Sequence, residues 1–262
     1  MSGRSSHVRA PSTVVAIHEL RSMWLSAKAL TVLFSYTILL SIVAFVAASD
    51  AALNLLDARE SVGIIVQIAI GLSTLAALVV SADTISGERE RETLEALLVT
   101  PVSRSALVVG KMMSAWSMWL AGIVVALPYV VAISKGPGVV SDAVFVLVVV
   151  GALVGIALSA LGLAISAVSM SNRASLASSV GILLIFAAPS QLPAVTANGV
   201  LGSFLIAANP VSAGLRLARV VLVDQKTLTS NWTLLISPIV AAIVLTWVAV
   251  RLSDRLRLGG AR

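Results

Sequence analysis

Residues 143–168 read AVFVLVVVGALVGIALSALGLAISAV, a run of 26 residues without one ionisable side chain. As an α-helix, a run of this length extends about 39 Å at about 1.5 Å per residue. The hydrocarbon core of a bilayer is only about 30 Å thick. The run therefore predicts a helix that crosses a membrane.

The rest of the chain has the same character. Of its 262 residues, 58% are hydrophobic and 11% charged, and the mean hydropathy is +1.03. Soluble domains contain roughly 45–50% apolar and about 25% charged residues. We therefore expect an all-α membrane protein with a single transmembrane domain over residues 1–262. The six predicted spans are 29–48, 61–82, 112–133, 143–168, 176–195 and 232–250.

The composition disfavours several kinds of function. The chain has no cysteine and two histidines, so disulfides, thiol nucleophiles and histidine metal clusters are excluded. The six predicted spans contain no Asp, Glu, Lys, Arg or His, whereas ion-coupled transporters need ionisable groups at membrane depth. This pattern disfavours an intramembrane enzyme and also a secondary transporter, which stays open as an alternative.

The distribution of basic residues predicts the orientation. Thirteen of the eighteen Lys and Arg residues fall on the side that holds both termini, and five fall on the opposite side. Because short cytoplasmic loops carry an excess of Lys and Arg, both termini are predicted to be cytoplasmic, with the protein in the cell membrane. In a soluble protein the net charge of +6 could indicate a nucleic-acid partner, but here it reflects the cytoplasmic loops and we expect none.

The N-terminal arm, residues 1–28, contains apolar residues that recur at intervals of three and four before the first span. This spacing predicts an amphipathic helix in the cytoplasmic interface of the membrane, with Trp24 at the depth of the lipid headgroups. A simple anchor that sets the orientation of the first span explains the pattern nearly as well.

Small residues in the fourth span are spaced three and four apart. Gly151, Gly155 and Ser159, followed by Gly162 and Ser166, fall on one stripe of the helix. Such a stripe lets another helix approach closely. Packing within the chain is the main expectation, and a dimer interface is the alternative.

The connection between spans two and three differs from the others. Residues 83–111 read DTISGERERETLEALLVTPVSRSALVVGK and contain nine of the thirty charged side chains. Ser86 is a suitable N-cap, and Glu88 would lie in the first helical turn, where a negative charge suits the helix dipole. Glu88 and Arg91 are spaced to pair on the solvent side. These features predict a short helix across the cytoplasmic face.

This predicted helix is amphipathic. Leu94, Leu97 and Leu98 form its apolar edge, and four glutamates accompany them. A helix that lies on lipid normally carries Lys and Arg on its polar face, so the glutamates favour a protein partner from the cytosol. Thr100 and Pro101 then begin a second helix that leads into span three.

Residues 85–111 closely resemble the loop motif of ABC type-2 permeases, the membrane subunits of ATP-driven exporters. The matching elements are Gly-Glu-Arg-Glu, Thr-Leu-Glu, Thr-Pro-Val-Ser-Arg and Gly-Lys, in that order. The motif is especially similar to those of sodium-extrusion permeases and of the nitrous-oxide reductase maturation permease. Asn209-Pro210-Val211, in the last external loop, adds weaker support.

The resemblance implies that the loop forms a coupling helix that inserts into a groove of a separate nucleotide-binding subunit. It also implies a homodimer, or a heterodimer with a related permease, bound to two ATPase subunits. Those subunits would bind ATP and Mg. The residues matched to the ATPase-coupling site are Glu88, Arg89, Glu90, Thr93, Leu94, Glu95, Leu98 and Pro101.

The chain itself carries no motif for ATP chemistry. Its one Gly-Lys pair, Gly110-Lys111, is followed by Met112 and has no glycine five residues earlier, so it is not a phosphate-binding loop. We therefore expect no enzymatic activity and no cofactor in this chain. The expected function is that of an exporter's permease subunit, and a non-transporting membrane anchor or scaffold is an alternative.

The last loop, residues 196–230, is long for a connection between spans. Apolar stretches at 200–208 and 212–223 predict one or two short helices, broken at Asn209-Pro210. The resemblance places comparable helices at the outer end of the pathway, partly within the membrane. Prolines at the end of span five fit either a re-entrant turn or an ordinary kink.

Overall fold

The computed structural model describes residues 12–52, 57–93, 104–191 and 199–253. Within these ranges the chain is helical and contains no strand. Short 3₁₀ turns cover Ala188–Gln191, Leu228–Ser230 and Trp232–Leu235. The α-helices are α1 (Ser12–Trp24), α2 (Ala27–Ala52), α3 (Ala58–Asp83), α4 (Ser86–Glu90), α5 (Arg104–Ser134), α6 (Val140–Val168), α7 (Asn172–Ala187), α8 (Val200–Ala208), α9 (Pro210–Leu222) and α10 (Ile236–Ser253).

Six helices in the described part of the chain are long and apolar enough to cross a membrane, which confirms the all-α architecture with six candidate spans. They are built on α2, α3, α5, α6, α7 and α10. The bent pair of α8 and α9 would raise the number to seven if it counted as one span. With this many apolar helices the chain is a multi-pass membrane protein.

The helices extend beyond the apolar runs because polar residues continue or cap them. Helix α3 begins at Ala58, where Asp57 Oδ1 accepts a hydrogen bond from the Arg59 amide at 3.3 Å. Two spans are exceptions. The sixth is predicted to begin at residue 232, but a 3₁₀ turn covers Trp232–Leu235 and α10 begins at Ile236. The fifth is predicted to reach residue 195, but α7 ends at Ala187 and a 3₁₀ turn containing Pro189 follows. Proline has no amide hydrogen with which to continue an α-helix. Residues 192–198, including Pro193, lie outside the described ranges.

Helices α3 and α6 form the centre of the bundle. They pack against each other, α5 contacts both, and α9 covers them at one end. Helices α2, α7 and α10 are far less buried and turn large apolar side chains outward, such as Phe45, Leu184 and Ile243. In a bilayer this outer surface contacts lipid acyl chains.

The small-residue stripe of α6 lies against α3 and α5. A Cβ atom at Gly155 would lie 2.8 Å from Trp119 Cδ1, and one at Gly162 would collide with the Ser81 hydroxyl. Ser159 is fully buried, and its hydroxyl donates to the Gly155 carbonyl at 2.6 Å. The stripe therefore lines contacts within the chain.

The last loop is predicted to contain one or two short helices, and the structure has two, α8 and α9. Helices α8 and α9 meet at an angle of 105°. Asn209 Oδ1 accepts hydrogen bonds from the amides of Val211 at 3.0 Å and Ser212 at 3.2 Å. Since this cap lies at Asn209, α9 starts at Pro210 rather than at the predicted residue 212. Helix α9 is mostly buried, and Gly214 allows its close contact with Val150 of α6.

Helix α1 occupies the predicted position before the first span and packs along the start of α5. Trp24 Nε1 donates to Ser117 Oγ at 3.1 Å, so this indole is held by the bundle. Ile17 and Leu25 are exposed. One face of α1 therefore belongs to the bundle, while its location at the membrane interface stays a prediction.

Candidate functional site

The corner between α3 and α4 is held by buried hydroxyl groups from α6 and α7. The amides of Ile85 and Ser86 both donate to Ser166 Oγ, at 3.1 and 2.9 Å. Ser175 Oγ donates to the Ala82 carbonyl at 2.7 Å. Because these groups are buried and hydrogen-bonded, the corner is fixed to the bundle.

The prediction that Ser86 caps the helix is wrong. Ser86 is the first residue of α4, Ile85 occupies the cap position, and the Ser86 hydroxyl donates to the Ala82 carbonyl at 2.8 Å. Because the Ser86 hydroxyl bonds to the Ala82 carbonyl, one turn earlier, it does not cap the amides of α4.

The predicted helix does not run without interruption from Ser86 to the leucines. Helix α4 ends at Glu90, and Glu92 has a φ of 59°, in the left-handed region. The Thr93 amide donates to the Glu88 carbonyl at 3.0 Å, which closes the turn. Residues 94–103 lie outside the described ranges, so the predicted second helix start at Thr100 and Pro101 is not tested.

A buried lysine lies at the centre of the site. Lys111, on α5, is only 1% exposed. Its ammonium group contacts Glu88 Oε1 at 2.5 Å, the Glu19 carboxylate at 3.4 Å and the Thr84 carbonyl at 3.4 Å. One cation thus joins residues of α1, α4, α5 and the α3–α4 turn.

This contact corrects the pairing predicted for Glu88. The spacing to Arg91 predicted a pair on the solvent side, but Glu88 turns toward the bundle and pairs with Lys111. Arg91 instead lies 3.9 Å from Asp83. The sequence contained no signal for the Lys111 contacts, because helical spacing relates only residues within about one turn.

Arg89 attaches α4 to the end of α6. Its guanidinium donates to the carbonyl of Ser169 and, at 3.1 Å, to that of Ala167. These carbonyls lie at the C-terminal end of α6, where the helix dipole favours a positive charge. Arg89 therefore connects the segment after α3 directly to the central helix α6.

Asp83 ties the same corner to α2 and α7. It accepts from Lys28 Nζ at 2.9 Å and from Asn172 Nδ2 at 2.6 Å. Gly87 lies so close that a Cβ atom there would be 2.6 Å from Asp83 Oδ1. A side chain at position 87 would therefore disturb this corner.

The described residues matched to the coupling site fall into two groups, those that contact the bundle and those that are exposed to solvent. Glu88 and Arg89 make the internal contacts described above, whereas Glu90 and Thr93 are exposed. The remaining members lie outside the described ranges; they are Leu94, Glu95, Leu98 and Pro101.

A cleft of about 520 Å³ adjoins the cluster, bounded by α1, α2, α3 and α7. Lys28, Asp83 and Lys111 contribute charge to its lining, and Val79 and Leu176 contribute apolar surface. The described residues contain no group of three or more acidic or histidine side chains suited to a metal ion.

The described helices and their polar corner define a multi-pass membrane protein. The model of the ABC-2 family transporter protein matches residues 13–255, so the chain belongs to that family. It is an ABC transporter permease by this criterion. A comparison with the curated proteins finds no match.

Proposed function

We propose that the chain is the permease subunit of an ATP-driven exporter, and that residues 84–93, the coupling segment, receive force from a separate ATPase subunit. The observation that carries this proposal is the two-sided construction of the segment. Its inner side is bonded to the bundle, and its outer side exposes Glu90, Arg91 and Glu92, with a net negative charge. Family membership supports an ATPase partner.

The inner contacts support transmission of force. Arg89 bonds to α6, Glu88 to α5 and the Ser86 amide to Ser166. Because packed and hydrogen-bonded elements resist local deformation, a push on the segment would displace the attached helices as rigid bodies. The proposed result is a switch in access to a pathway between two permease chains.

The outer surface supports a protein partner of complementary charge. Glu90 and Glu92 are exposed in the described part of the segment. Their charge is unfavourable next to an anionic lipid leaflet and favourable next to a basic groove. We therefore propose that an ATPase subunit presents basic side chains to this face, on the cytoplasmic side of the cell membrane.

The energy source belongs to the partner in this proposal. The amino-acid sequence has no phosphate-binding loop, and we propose that ATP and Mg bind in the ATPase while this chain is not an enzyme. Two permease chains, identical or related, would assemble with two ATPase subunits. The similarity to sodium-extrusion and nitrous-oxide reductase maturation permeases stays a prediction.

The test is a pull-down of the tagged chain from its native membrane in mild detergent, with mass spectrometry of the proteins recovered. We expect a soluble ATPase at about equal stoichiometry, and much less of it with Glu90→Lys combined with Glu92→Lys. Asp142→Lys with Asp224→Lys is the matched control, because both residues are exposed acids outside the coupling segment. Absence of any ATPase would contradict the proposal and favour an anchor or an independently powered carrier.

A further inference from the structure

We propose that Lys111 is a positioning residue, whose buried ammonium group holds α1 and the coupling segment together on α5. The inference rests on the proposed function, which makes the segment the receiver of the ATPase. It adds a connection from the segment to α1 through Glu19, separate from the contacts of Arg89 and of the Ser86 amide with α6.

All the hydrogen-bonding capacity of Lys111 is used inside the protein. An ammonium group has three donors, and Lys111 has three partners: the carboxylates of Glu88 and Glu19 and the carbonyl of Thr84. The Lys111 side chain is only 1% exposed, and its carboxylate partners Glu88 and Glu19 are 21% and 14% exposed. Its charge is therefore committed to joining these chain segments.

Helix α4 depends on such contacts for its position. It has five residues, and an isolated helix much shorter than about 12 residues is not stable in water. Its placement must come from the side chains that bind it to the bundle. In the described part of the chain, the ionic contacts of its inner side are those of Glu88 to Lys111 and of Arg89 to α6.

The same lysine sets the course of α1. Helix α1 touches α5 at two polar points, Glu19 to Lys111 and Trp24 to Ser117. With a helical rise of about 1.5 Å per residue, Glu19 and Trp24 lie about 7.5 Å apart along α1, and Lys111 and Ser117 lie about 9 Å apart along α5. Similar spacings in the same chain direction mean that α1 runs alongside α5, roughly parallel to it.

Helix α1 leads directly into the first span, since only Leu25 and Ser26 separate it from α2. A displacement of the coupling segment would therefore reach α2 through Lys111 and α1. Without Lys111, the segment keeps its attachment to α6 and loses its attachment to α1.

Loss of Lys111 alone is not a clean test. The lysine faces two carboxylates, so Lys111→Met would leave both without a counterion and could prevent folding. The neutral triple variant Lys111→Met, Glu88→Gln, Glu19→Gln removes all three charges together. This variant leaves no unpaired charge but lacks the ionic connection, so any change that it causes is due to loss of the connection and not to charge imbalance. Lys111→Arg keeps the charge and is the conservative variant.

The experiment measures the distance between nitroxide labels on α1 and on the coupling segment. The chain has no native cysteine, so Ile17→Cys and Thr93→Cys, both at exposed positions, place the labels specifically. Pulsed electron resonance on detergent-purified protein gives the distance distribution. Affinity for the co-purifying ATPase is measured in parallel on unlabelled protein.

We expect a single narrow distribution for the parent and for Lys111→Arg, and a broad one for the triple variant. The affinity of the triple variant for the ATPase should fall roughly tenfold, the size of one charge-assisted hydrogen bond. Lys135→Met is the matched control, because Lys135 is an exposed lysine just beyond the C-terminal end of α5 and should change neither quantity.

A triple variant with the parent's narrow distribution would overturn the proposal, because charge balance would then suffice. The distance measurement needs no partner. If the distribution broadens but no ATPase binds even the parent chain, the positioning role holds and the proposed function fails.

Discussion

Gly155 provides a quantitative test of how the central helices pack. Its missing side chain accommodates Trp119, and a Cβ atom there would lie 2.8, 3.0 and 3.1 Å from three atoms of the indole. Ordinary carbon contacts are about 3.5–4.0 Å, so Gly155→Ala would require the ring to move by several tenths of an ångström.

Trp119 has little room to move. It is 2% exposed and stacks on Trp116 with ring centroids 5.4 Å apart. A Cβ atom added at Gly151 would lie 3.4 Å from its ring. Overpacking of this kind costs about 1–3 kcal/mol. A loss of one or two kcal/mol lowers the ratio of folded to unfolded protein by roughly 5- to 30-fold.

The assay is reversible unfolding of the purified chain in mixed micelles by added denaturing detergent. We expect Gly155→Ala to lower the free energy of unfolding by about 1–3 kcal/mol. Gly181→Ala is the matched control, since no atom lies within 4 Å of the added Cβ. Glycine to alanine in an open helical position is neutral or stabilising by up to about 1 kcal/mol.

Trp119→Phe in the same chain should relieve the effect, because the smaller ring leaves space for the new methyl group. The double-mutant cycle should then show a coupling energy of about 0.5–3 kcal/mol. Equal stability of Gly155→Ala and Gly181→Ala would refute the packing described here. A loss that depends on protein concentration would instead favour the alternative that the stripe faces a second chain.

Two further predictions concern the ends of helices. Arg89→Met should destabilise the protein by about 2 kcal/mol, because two carbonyls lose a charged donor. Arg91→Met removes only an exposed contact of 3.9 Å with Asp83 and should cost less than about 0.5 kcal/mol. Equal losses of the two variants in detergent unfolding would contradict this prediction. Asn209→Ala should lower the free energy of unfolding by about 1 kcal/mol, because α9 loses its cap, and Asn209→Asp should keep most of that stability. The same unfolding assay tests this, and an unchanged stability of Asn209→Ala would contradict it.

Hydropathy was sufficient to predict the six long helices. A membrane requires about 20 apolar residues per helical span, so the run itself contains the signal. The break at Asn209-Pro210 was equally readable, because proline and a capping side chain act locally. These features depend on neighbours within one or two turns.

The candidate site was only partly predictable. The charged loop identifies the region, but in the sequence Lys111 is one more loop cation. Its partners Glu88 and Glu19 lie 23 and 92 residues away in the chain. Ser86 was assigned as a cap because the sequence does not reveal that the Ala82 carbonyl and Ser166 lie beside it. Such contacts arise from the packing of separate helices.

The inward direction of Glu88 changes the interpretation of the loop motif. Its position matches the coupling site, yet its Oε1 atom lies 2.5 Å from a buried lysine. Resemblance alone does not distinguish residues that touch a partner from residues that hold the segment in place. Within the described part of the loop motif, residues 85–93, the exposed side chains are those of Glu90, Arg91, Glu92 and Thr93.

The central claim is that a separate ATPase contacts the exposed face of the coupling segment. A photo-crosslinking amino acid at Glu90, with the same group at the exposed Asp224 as control, tests it directly in intact native membranes. We expect the probe at position 90 to capture a soluble ATPase subunit and the probe at position 224 not to capture it. Capture of lipid alone at position 90, or of the same ATPase from both positions, would contradict it.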